Sequence, residues 1–115
     1  MAEFYFSVMV KIDFSYIELL ADGDDEFMAE YLETFENNYI SLTNKMEEEL
    51  AIRDFHALGK TAHQLKPTAK MIQIPCGETL ENLQHNPKDA TKEKIEAIRT
   101  ECKEAYEALQ KWSKS

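Results

Sequence analysis

The chain has 115 residues, 43% of them hydrophobic and 30% charged, with three glycines, three prolines and a formal net charge of −9. That is the length of one domain with a core of its own, and the hydrophobic share sets it apart from disordered chains. Few turn residues beside many charges speak against a sandwich or barrel, and the negative charge speaks against a nucleic-acid partner, whose phosphates it would repel.

Residues 1–11 are read as an N-terminal arm without an assigned element. Phe4, Tyr5, Phe6, Val8, Met9 and Val10 make it apolar. It is shorter than the roughly 20 residues of a spanning helix. It opens on Glu3 rather than on a basic region, which does not suit a signal peptide. Residues 12–113 are expected to form a single helical domain. Asp13 to Ala21 reads as a short helix with Phe14, Ile17 and Leu20 on one side, ended by Gly23.

Asp24 then offers an N-cap for a second helix over about Asp25 to Leu50. Its apolar positions Met28, Leu32, Phe35, Tyr39, Leu42 and Met46 recur at steps of three and four, the seam of a packed helix. Glu30, Glu33, Glu36, Glu47 and Glu48 mark its wet face. Asp54 caps a third helix with the row Phe55, Leu58, Ala62, Leu65, Ala69 and Ile72, limited by Pro75. A short fourth helix spans about Gly77 to His85, with Leu80 and Leu83 inward. Residues 86–89 form a turn. Thr91 caps the last helix, whose seam is Ile95, Ile98, Cys102, Ala105, Leu109 and Trp112. The predicted fold is all-α: an antiparallel four-helix bundle, up-down-up-down, with a short additional N-terminal helix.

Chemistry gathers on the third helix. His63 lies one position beyond the core row, about 100° around the axis, so it is expected at the edge of the core, part packed and part wet. Residues three and four away share its face: Gly59 and Lys60 before it, Lys66 and Pro67 after it. His56 and Lys70 lie a turn further out. Gly59 has no side chain to obstruct an approaching surface. Pro67 removes one helical hydrogen bond and crowds the His63 carbonyl, a defect of about 3 kcal/mol in a helix interior.

No acidic residue occurs between Asp54 and Glu78, although the rest of the chain is acid-rich. Such a cationic window suits a site that holds added negative charge, and a phosphorylated side chain carries about −1.5 to −2. Lysine serves phosphate oxygens as a mobile point charge. Free imidazole titrates near about 6.5, so its neutral form, with one nucleophilic nitrogen, is abundant at cellular pH. Gln84, Asn82 or Gln73 are the side chains available to accept from the other nitrogen. Cys76 and Cys102 have no metal or redox spacing and read as reduced core thiols, consistent with a cytoplasmic setting.

These residues carry a resemblance. The run Ala62-His63-Gln64-Leu65-Lys66-Pro67-Thr68 resembles the Ala-His-x-Leu-Lys-Gly-Ser signature of histidine-containing phosphotransfer domains. The stretch from Asp13 through Asp24 to Phe27 is similar to that family's entry segment, and the likeness runs over nearly the whole chain. The resemblance implies that His63 is phosphorylated, on Nε2, that Lys66 steadies the phosphoryl oxygens, and that Gln84 orients the imidazole. Lys60, Lys70, Pro67 and Gly59 would form the surroundings.

The resemblance further implies receiver domains of response regulators as partners, upstream a hybrid sensor histidine kinase, and no cofactor on this chain, with Mg²⁺ on the receiver. Pro67 departs from the family's usual glycine. Gln73 stands where a glycine is often found. No glycine-rich phosphate loop is present, so autophosphorylation is not expected. A monomer without a membrane partner is expected.

Two other functions compete. One is a non-catalytic adaptor bundle whose His63 is never modified. The other, a carboxylate–histidine metal bundle, needs inward Glu-x-x-His pairs. The residues three before His56, His63 and His85 are Arg53, Lys60 and Asn82.

Overall fold

Among the described residues five α-helices make up most of the chain, and every one begins within a few residues of its sequence-based expectation. The structure is a computed structural model that describes residues 3–5 and 11–113. In chain order the elements are strands β1 (Glu3–Tyr5) and β2 (Lys11–Asp13), then helices α1 (Ser15–Ala21), α2 (Asp25–Ala51), α3 (Phe55–Met71), α4 (Cys76–His85) and α5 (Lys92–Ser113). A single 3-10 turn, Pro87–Asp89, joins α4 to α5.

The arm, left unassigned from sequence, pairs β1 with β2 antiparallel, Glu3 opposite Asp13 and Tyr5 opposite Lys11. The apolar residues Phe6, Val8, Met9 and Val10 lie outside the described residues. The Asp13 N–H donates to the Ile72 carbonyl, which ties β2 to the end of α3.

The helix starts follow capping chemistry. Asp24 Oδ1 accepts from the Glu26 and Phe27 amides, Asp54 Oδ1 from Ala57, and Thr91 Oγ1 from Lys94. Each bond satisfies an amide that the first turn leaves without a helical partner. Cys76 begins α4, and its N–H instead finds Glu101 Oε1 of α5 at 2.9 Å.

Packing joins α2 to α3 and α5, α3 to α4, and α4 to α5. One core runs through them, including Phe35, Met46, Leu58, Leu65, Leu80, Ile95 and Ile98. Pairings between neighbours run in reverse order along the chain. Asn44 and Glu47 of α2 meet Arg99 of α5, whereas Phe35 and Tyr39 meet Tyr106. Helix α1 covers one end, its preceding Phe14 ring 5.3 Å from that of Trp112.

The buried face departs from expectation in places. Leu20 is 45% exposed, and Ala21 takes its place beside Phe14 and Ile17. On α2 Thr43 is buried where Leu42 was expected, because its hydroxyl donates back to the Tyr39 carbonyl at 2.5 Å and enters the core satisfied. Glu49 is also buried, with Oε2 accepting from the Thr61 hydroxyl at 3.0 Å.

Among the described residues no helix is long and apolar enough to cross a membrane.

Candidate functional site

The backbone of α3 presents its core row, Leu58, Ala62, Leu65 and Ala69, to the interior. That fixes where the intervening residues point. His63, one step past Ala62, is exposed at mid-helix, wetter than the half-packed position expected. It opens on a cleft of about 480 Å³ that is also lined by His56, Gly59, Lys60, Gln64, Gln84 and Pro87. The cleft therefore belongs to α3 on one wall and to the end of α4 with its following turn on the other.

Gly59 plays a different part from the one expected. It is buried, and a Cβ there would lie 3.2 Å from the Gln84 carbonyl oxygen and 3.5 Å from Pro87. Its missing side chain lets the end of α4 close against α3 and so builds the wall of the cleft.

The cationic window is also altered by its neighbour. Lys66 Nζ donates to Gln84 Oε1 at 2.7 Å and lies 3.9 Å from Glu81. Lys70 Nζ lies 3.3 Å from Glu81 and 3.6 Å from Glu78. The α3 stretch holds no acid of its own, but α4 supplies two. Gly77 makes room for this crossing, since a Cβ there would sit 3.0 Å from Lys70 Cγ. The Gln84 amide oxygen is thus engaged by Lys66 rather than by the His63 ring, which corrects the role expected for it. Among the described residues no side chain hydrogen-bonds that ring. Lys60 is exposed and lines the cleft, and it has no ion-pair partner among the described residues.

Comparison with protein-family models, with curated proteins and with solved structures finds no significant match.

Pro67 is exposed inside an unbroken α3 and borders a second groove of about 280 Å³, shared with Tyr31, Thr34, Phe35, Asn38, Thr68 and Met71. Tyr31 and Thr34 of α2 are therefore next to the motif. Met28 is not: it opens on a separate recess with Ala21 and Trp112. Burial pushes the Tyr31 hydroxyl up to about 12, and that oxygen has no hydrogen-bond partner among the described residues.

Sequence reasoning treated Pro87 as a turn residue, Gln64 as a motif spacer and Glu81 not at all. The signal for Glu81 was present in the spacing Glu78, Glu81, Gln84, one face of a helix. Set antiparallel to Lys66 and Lys70, that face meets the lysines in reverse order.

Proposed function

We propose that this chain is a phosphorelay carrier: His63 accepts a phosphoryl group from a receiver-domain aspartate and passes it to a second receiver. The observation that carries this reading is the placement of His63, an exposed imidazole at mid-helix on a packed core, opening on a cleft that Lys60 lines. The four helices α2 to α5 are read as an antiparallel up-down-up-down bundle serving as a rigid platform, with α1 as a cover.

The chemistry is a displacement at phosphorus. The lone pair of a neutral ring nitrogen forms the N–P bond while the acyl O–P bond of the aspartyl phosphate breaks. The carboxylate departs with the bonding electrons, and the proton on the other ring nitrogen is released to water. Mg²⁺ on the receiver offsets the charge gathering on the phosphoryl oxygens. Lys60 is already at the cleft, whereas Lys66 reaches the phosphoryl group only by leaving Gln84 and Glu81. We place the carrier in the cytoplasm as a monomer, supplied by a hybrid sensor kinase.

The test mixes the chain with a phosphorylated receiver. The expected product is an acid-labile, base-stable label that is lost in His63→Ala. The adaptor reading has its own support in the ion pairs that already occupy Lys66 and Lys70. Absence of label with every receiver tried would establish the adaptor and overturn the carrier.

A further inference from the structure

Glu81 faces the phosphotransfer motif from α4, and its carboxylate reaches both lysines that follow His63. Its side chain is 43% exposed, Lys66 lies 3.9 Å from it and Lys70 3.3 Å. The Lys66 side chain is only 20% exposed, so its ammonium is partly sheltered and not a freely moving surface charge. Gln84 anchors the same ammonium from one turn further along. Lys66 does not line the His63 cleft, although Gln84 does. The resting chain therefore keeps its motif lysine on the α4 side of the helix pair.

Resting on the carrier reading, we propose that Glu81 is a positioning residue that competes with the phosphorylated His63 for Lys66. In the unmodified chain the carboxylate holds Lys66 and Lys70 against α4. A phosphoryl group, with about −1.5 to −2 charge against one for a carboxylate, draws Lys66 off it. Glu81 thus makes the phosphorylated state less favourable than the lysines alone would make it. A group held loosely in this way passes on readily, as suits a carrier that must give up what it accepts.

The experiment labels wild type and Glu81→Gln with phosphoramidate. Its P–N bond breaks as the ring N–P bond forms, and ammonia leaves with the proton of the ring. Phosphorus NMR then follows the decay of the label. Glu81→Gln is expected to lengthen the half-life about two- to fivefold, the range open to a partly exposed ion pair. The gain shrinks as salt is raised and disappears in Glu81→Gln/Lys66→Gln, because the coupling runs through that lysine. Circular dichroism of the variant matches wild type.

A labelled wild type with an unchanged or shorter-lived variant overturns the proposal alone. So does a gain that survives in the Lys66→Gln background. A wild type that takes no label at His63 overturns the carrier reading, and this proposal with it.

Discussion

Gln73 adopts a left-handed backbone, φ 59°, just after the C-cap of α3. A side chain there is strained by about 1 kcal/mol or more, while glycine is at ease. Gln73→Gly is therefore expected to stabilise the fold by about 0.5–1 kcal/mol, the relief being partly offset by the freer unfolded chain. A shift of the urea midpoint without a change in slope is the check. Tyr31 offers a second test. Its folded-state hydroxyl titrates at about 12 against 10 for a free tyrosine. Between those values the folded chain keeps a proton that the unfolded chain has lost, so stability falls as pH rises through that window. Tyr31→Phe removes a buried oxygen that has no partner among the described residues. It is expected to raise stability by about 1 kcal/mol at neutral pH and to make the alkaline loss shallower. Melting curves at pH 7 and pH 11 measure both effects.

At the scale of elements, the helices were legible because a step of three or four leaves an unmistakable stripe, and because Asp24, Asp54 and Thr91 announce their caps. Which neighbour occupies the stripe was not legible. A step of three from Tyr39 selects Leu42 and a step of four selects Thr43. Hydropathy favours the first, and the hydroxyl bond within the turn permits the second. The charge of the site was misread for a related reason. A window free of acids along α3 says nothing about the residues that α4 brings across from it, and Lys66 and Lys70 are met by Glu78 and Glu81. Gly59 was legible as small but not as a point of close approach. Pro67 makes its own prediction on this scale. Helix α3 continues through it, so Pro67→Ala restores an amide donor without rerouting the chain. A gain of about 1–3 kcal/mol is expected, read as a rise in melting temperature. A fall would mean that the helix is shaped around the ring.

The whole molecule measures 44 × 28 × 18 Å, a length set by the 27 residues of α2, which rise about 40 Å. Helix α1 and the strand pair before it close one end through Phe14, Trp112 and the Asp13–Ile72 bond. The seam between α4 and α5 is closed by Cys76 and Cys102, buried free thiols joined by a weak sulfur–sulfur hydrogen bond of 4.0 Å and not by a disulfide. The neighbouring thiol and burial push the Cys76 thiol far up, so almost no Cys76 thiolate exists in the native state, and Cys102 is shut away from reagent by its burial. Iodoacetamide is accordingly expected to leave both sulfurs untouched until the chain opens, and rapid alkylation of the native protein would contradict that. Their silence gives the molecule a built-in clock. Alkylation counted by mass spectrometry over hours, with and without a phosphoryl donor, times how often these two helices part, and it needs no engineered probe.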